Sequence, residues 1–199
     1  DTNYQGIASD NLAIGKATAT VTLGSLSQIY DGTAKSATAA TNPASLLVTF
    51  TYDGSTTAPI NAGTYAVVGT IFDANYQGIA GANLTIDKAT LAITAEPKNK
   101  TYGTTDPPLT YTYTGLVSPD TLSGSLTRAA GENVGDYAIG QGTVAVSAPA
   151  NYTVTYTGAN LTIDKATLTI TADAQTKVQG DPDPVLTYTI TSGSLVGSD

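Results

Sequence analysis

The chain has 199 residues, with 8 Lys and Arg against 16 Asp and Glu, a formal net charge of −8, and no Cys, Met, Trp or His. The acidic balance excludes a basic stripe for nucleic acid and polybasic attachment to anionic lipid. Without Cys and His there are no zinc or haem ligand sets of the usual kind, no cysteine nucleophile, no Ser-His-Asp triad and no disulfide.

In chain order, Asn3-Tyr4-Gln5-Gly6-Ile7 and the residues up to Lys16 read as the last strand of a preceding module (1–16). The opening Asp1-Thr2 is not a secretion leader, so a cleaved leader or a longer parent chain is expected. Strands with period-2 alternation follow at Ala19–Leu23, Leu47–Tyr52, Tyr65–Ile71, Leu84–Ile86, Leu91–Ala95, Thr143–Val146, Tyr152–Tyr156, Leu161–Ile163 and Leu168–Ala172. Turn clusters punctuate them at Asp31-Gly32, Asp53–Ser55, Asn61–Gly63, Gly131–Asn133 and Gly140–Gly142. The best helical candidate is one short turn over Ser118–Leu122, with Ser118 as its cap. No apolar run approaches the roughly 20 residues needed to span a bilayer, so this segment does not insert in a membrane by a helix.

The strands belong to a repeat. Asn3–Thr18 returns as Asn75–Thr90, and Ala159–Ala172 repeats Ala82–Ala95 with one change, Thr169 for Ala92. Near-identity at a period of about 72–77 residues marks a tandem array. Two complete modules are predicted, 17–88 and 89–165, with 166–199 the incomplete start of another. Several strands per module and a turn about every ten residues point to small β-sandwiches. The fold expectation is all-β: tandem immunoglobulin-like sandwich modules arranged end to end. Asp87-Lys88-Ala89 and Asp164-Lys165-Ala166 leave no flexible linker at the joins, which predicts a semi-rigid rod.

Asn61-Ala62-Gly63-Thr64-Tyr65 and Asn133-Val134-Gly135-Asp136-Tyr137 occupy the same place in the two modules. The pattern matches the corner of immunoglobulin-like domains, where a Tyr hydroxyl bonds to backbone just upstream. Gly63, Tyr65, Gly135 and Tyr137 are therefore predicted structural corners.

Candidates for chemistry are few. The acids Asp31, Asp53, Asp106 and Asp120 sit in turns and read as solvated turn residues rather than catalytic carboxylates. No catalytic residue and no cofactor is expected, and the chain is not expected to be an enzyme. The one candidate ion is calcium, for which Asp181, Asp183, Asp87 and Asp164 offer oxygen ligands. An isopeptide bond between Lys100 and Asn151 beside Glu132 is a further candidate. Tyr111 and Tyr113 alternate on one strand and share a face, which makes them the better candidates for a ligand surface.

Ile29-Tyr30-Asp31-Gly32-Thr33-Ala34-Lys35, Asp73-Ala74-Asn75-Tyr76-Gln77-Gly78 and Leu84–Ala89 in the first module, and Lys100-Thr101-Tyr102-Gly103 with Asp106–Tyr111 in the second, resemble the bacterial MBG modules ("mostly beta, containing glycine"). The incomplete module departs at Val178-Gln179, where the second has Thr101-Tyr102. The resemblance implies large exported bacterial proteins, adhesin-like, at the cell surface or outside the cell. Avoidance of cysteine suits such export. The resulting expectation is a structural stalk, spacer or filament segment; the alternative is an adhesive module whose repeat faces engage glycan or a host protein. Expected partners are neighbouring modules of the same chain and, in a fibre, other copies pairing with open strand edges.

Overall fold

The computed structural model describes residues 5–197 and 199. These residues form strands and turns, with one 3-10 turn at Pro149–Asn151. They divide into two compact units. The first holds the chain up to Ala89 together with Val117–Pro119 and Ala148–Thr153; the second holds Thr90–Leu116, Asp120–Ser147 and Val154–Asp199.

In the first unit the strands are β1 (Ala17–Thr18), β2 (Thr20–Gly24), β3 (Ser27–Ile29), β4 (Thr38–Asn42), β5 (Val48–Tyr52), β6 (Gly63–Ile71), β7 (Tyr76–Gln77) and β8 (Ile79–Asp87). The main sheet has the order β3-β8-β6-β5. β6 is antiparallel to both neighbours, whereas β3 runs parallel to β8, with Ser27 opposite Thr85 and Ile29 opposite Asp87. β2 and β4 form an antiparallel pair. Alternation decides the inner face: Val67 and Ile71 of β6 are buried with Leu84 and Ile86 of β8, while Thr64 and Thr70 face outward. β2 approaches β6 closely at Gly69, where a Cβ would stand 2.8 Å from Leu23 Cδ2.

The strands that follow are β9 (Ala89–Ala95), β10 (Lys98–Thr101), β11 (Tyr111–Thr114), β12 (Leu122–Ser123), β13 (Thr127–Arg128), β14 (Gly135–Gly140), β15 (Ala145–Val146), β16 (Tyr152–Thr157), β17 (Ala159–Asp164), β18 (Thr169–Ala172) and β19 (Tyr188–Ser192), all of the second unit except Ala89 and the first two residues of β16, which belong to the first. The four-stranded sheet repeats the first unit's plan in the order β10-β17-β14-β13. β10 is again parallel to its neighbour, pairing Lys98 with Leu161 and Thr101 with Asp164. A three-stranded sheet has the order β11-β9-β16. Leu91, Ile93, Ile139, Leu161 and Ile163 are fully buried and form the core of this unit. Each such side chain contributes roughly 1.5–3 kcal/mol on burial. β18 and β19 pair antiparallel, so residues 166–199 begin another module with a two-stranded piece.

Three sequence expectations are corrected. Ser118–Leu122 is not helical: the Ser118–Pro119 peptide is cis, and Leu122 enters β12. Ser118 before Pro119 matches a helix start locally, but Leu122 pairs with Val146, so the sheet overrides the local signal. The helical turn instead begins at Pro149, where a missing N–H costs nothing. Thr143–Val146 narrows to Ala145–Val146, which pair with Ser123 and Leu122, while Thr143 N–H bonds the Ser125 carbonyl oxygen and Val144 N–H that of Gln141. Finally, the described part of 1–16, Gln5–Lys16, is exposed and carries no strand; a last strand forms only beside the sheet it completes.

Candidate functional site

Both Asn-x-Gly-x-Tyr corners close on the same bond. The Tyr65 hydroxyl donates to the Asn61 carbonyl oxygen at 2.9 Å, and the Tyr137 hydroxyl donates to the Asn133 carbonyl oxygen at 2.8 Å. In the first unit the Tyr65 ring lies over Gly63, 3.5 Å from a Cβ built there. In the second the covered glycine is Gly131, at φ +142, where a Cβ would collide with the Tyr137 ring; Gly135 meets nothing. Tyr65→Phe and Tyr137→Phe each remove one hydroxyl and leave the ring. Each is expected to destabilise its unit by about 1 kcal/mol, measured by calorimetry.

The second unit also builds an ion cluster. Lys100 Nζ donates to Asp106 Oδ1 at 2.7 Å and to Glu132 Oε2 at 2.6 Å. Arg128 bridges the same two acids: its Nε reaches Asp106 Oδ2 at 2.6 Å, and its Nη2 pairs with Glu132. The guanidinium also caps the Gly131 carbonyl oxygen at 2.6 Å and lies 5.3 Å from the Tyr137 ring centroid, so the cluster buttresses the corner. The Lys100 side chain is only 4% exposed, and a buried ammonium needs such partners. In the first unit the buried Lys35 pairs with Asp31 and Thr33.

The electrostatic consequence is fixed charge. Hydrogen bonds from Arg128 and then Lys100 hold Asp106 at a pKa of about 2, and Lys35 and Thr33 hold Asp31 at about 2. Lys100 and then Arg128 lower Glu132, and Asp106 and then Glu132 raise Lys100. These acids are therefore ion-paired rather than merely solvated, which corrects the reading of Asp31 and Asp106 as plain turn residues. Proton transfer at neutral pH needs a pKa near the working pH, which is the opposite tuning. Because the folded-state values are depressed, the stability they confer is complete above the ordinary carboxylate value. It is lost as pH falls from 3.8 toward about 2. The midpoint of thermal unfolding should drop across that window. Asp106→Asn should melt lower than wild type at neutral pH and fall less steeply on acidification.

The remaining candidates separate. Tyr111 and Tyr113 share a face of β11 with ring centroids 6.5 Å apart, and Tyr113 is 51% exposed. The calcium candidates do not converge: among the described residues no three acids are grouped to hold a metal ion. Asp183 instead pairs with Lys177 at 2.5 Å. Asp87 and Asp164 act through their carbonyl oxygens, which accept from the N–H groups of Tyr30 at 2.9 Å and Tyr102 at 2.8 Å. Lys100 and Asn151 are not partners, because Lys100 is committed to its two acids and Asn151 bonds elsewhere.

Those bonds of Asn151 were not anticipated. In the first unit, Ala62 N–H donates to Asn151 Oδ1 at 2.9 Å, and Asn151 Nδ2 donates to Asn61 Oδ1 at 3.1 Å. Tyr152 stands edge-on to Tyr30 with centroids 5.6 Å apart, and its hydroxyl accepts from Val117 N–H at 3.0 Å. Nothing local in the sequence signals this pairing. The Lys–Asp pairs did leave a signal, since Lys100 with Asp106 and Lys177 with Asp183 share a spacing of 6.

Comparison with protein families gives two matches. Residues 19–90 match the MBG domain, and residues 91–162 and 168–199 match the MBG domain of YGX type. No curated protein and no solved structure matched. Together with the strand plan that recurs in both units, these matches place the chain in the MBG domain family, as a tandem array of its modules.

Proposed function

We propose that this array is a load-bearing spacer, the stalk of an exported bacterial surface protein, without catalytic activity. The observation that carries the reading is the parallel clamp present in both complete repeats. Near the start of each repeat, after β2 or β9, a strand lies parallel to the outgoing one: β3 along β8, and β10 along β17. Tension along the chain draws two such strands past each other in shear. All their hydrogen bonds resist together instead of opening one at a time. Lys88 alone separates β8 from β9, so little slack lies between one repeat and the next. The depressed acids support a non-enzymatic role, since their charges are spent on structure.

The surface location is tested by labelling intact producing cells with an antibody to the repeats. Labelling of intact cells supports the proposal; labelling only after lysis contradicts it. The half-buried Tyr111 beside the exposed Tyr113 favours a second reading, an adhesive module for glycans, since such rings suit partly wet contact. Binding of the chain to a glycan array, abolished by Tyr113→Ala, would select that reading.

A further inference from the structure

The Asn151–Tyr152 turn in the first unit fills a socket that the second unit builds again. The first socket has three parts. The Tyr30 ring is buried beneath Tyr152. Gly32, at φ +80, lies under the Val117–Pro119 loop, where a Cβ would stand 2.6 Å from the Ser118 carbonyl oxygen and 3.1 Å from Val117 Cγ1. Asn61 and Ala62 read the carboxamide of Asn151 with one acceptor and one N–H.

The second unit reproduces each part. Tyr102 N–H bonds the Asp164 carbonyl oxygen as Tyr30 N–H bonds that of Asp87. Gly103, at φ +83, has Val196 over it, 2.5 Å from a Cβ, as Gly32 has Val117. The loops that bring these valines start alike, at Gly115 and Gly193, whose φ values are +86 and +81 and whose Cβ positions are closed by the carbonyl oxygens of Thr90 and Thr167. Asn133-Val134 stands where Asn61-Ala62 stands, before the same Tyr corner. Here the groove along Tyr102, Val134, Leu168 and Leu195 is open, and Val134 is 48% exposed.

We propose that this groove is a docking site for the Asn-Tyr turn of a further YGX-type MBG repeat, the counterpart of Ala148–Thr153. The incoming carboxamide would bond the Asn133 side chain and Val134 N–H. The incoming tyrosine would stand edge-on to Tyr102 with its hydroxyl at Val196 N–H. The replacement of Ala62 by Val134 keeps the backbone donor that the carboxamide needs. The inference concerns how repeats join and stands apart from the exported-stalk reading, so either can fail alone.

The test compares the chain with one extended after Asp199 by a second copy of residues 121–165, which supplies the missing turn. Asn133→Ala leaves the backbone carbonyl used by Tyr137, so it should not change the melting of the 199-residue chain. In the extended chain it should lower Tm by about 4–8 °C, the shift expected for one net hydrogen bond in a domain of this size. An equal loss in both chains, or none in the extended chain, overturns the proposal. Should the extension not fold, a peptide of residues 148–153 is titrated into the 199-residue chain. Amide shifts at Asn133, Val134 and Val196 that vanish in Asn133→Ala support the site. Their absence, or concentration-dependent shifts without peptide that point to a second copy, overturns it.

Discussion

Leu161→Ala is expected to cost the second unit about 2–5 kcal/mol, enough to leave it largely unfolded near physiological temperature. Leu161 is fully buried on β17, the strand that joins β10 to β14, and it pairs with Lys98 on one side and Tyr137 on the other. Truncation therefore opens a cavity at the centre of the four-stranded sheet, with strands on both flanks that cannot collapse into it. A module of about 75 residues has only some 4–11 kcal/mol of stability to lose. Calorimetry should show one transition moved sharply down, while the transition of the first unit, with its own core of Val67, Leu84 and Ile86, falls only by the share that the Ala148–Thr153 turn contributes to it. A loss spread equally over both transitions would contradict separate cores.

Tyr152→Ala is the second large effect, about 3–5 kcal/mol, and it should fall on the first unit. Tyr152 is 3% exposed, contacts Tyr30 edge-on and accepts the Val117 N–H. Truncation removes the ring, leaves Tyr30 without that neighbour and strands a donor. Tyr152→Phe keeps the ring and should cost only about 1 kcal/mol. The double variant Tyr30→Ala with Tyr152→Ala should lose less than the sum of the single losses, because the two rings share one contact. Urea denaturation followed by circular dichroism reads all four, since the chain has no Trp to report by fluorescence.

Much of this was legible in the residues. Alternation at Tyr65–Ile71 and Leu91–Ala95 placed β6 and β9, because a half-buried strand must alternate. The Asn-x-Gly-x-Tyr pattern placed the corner, because its bond spans only four residues. What escaped depended on sheet register or on distance along the chain. Arg128, placed by the pairing of β13 with β14, meets Asp106 across 22 positions, and Asn151 meets Asn61 across 90. A carboxamide pair has no periodicity to betray it. A helical turn over Ser118–Leu122 fails because Ser118 and Pro119 match a helix start only locally, whereas pairing with Val146 draws Leu122 into β12; Pro149 begins the turn that does form. The calcium candidates rest on oxygen chemistry at the junctions and at Asp181-Pro182-Asp183, but the bonds of Asp87 and Asp164 run from their backbone oxygens to Tyr30 and Tyr102.

Single-molecule extension of the 199-residue chain, held at its two ends, tests most directly the claim that each repeat is a separate load-bearing module. Two discrete unfolding events are expected, one for each complete repeat, each releasing about 25 nm of chain at roughly 3.5 Å per residue. Substitution of Gln28 or Lys98 by proline, which lacks a backbone N–H, should lower the force of one event alone, since the N–H groups of these residues face the partner strands of the parallel clamps. A smooth extension without force peaks, or one event releasing both repeats together, would contradict the claim.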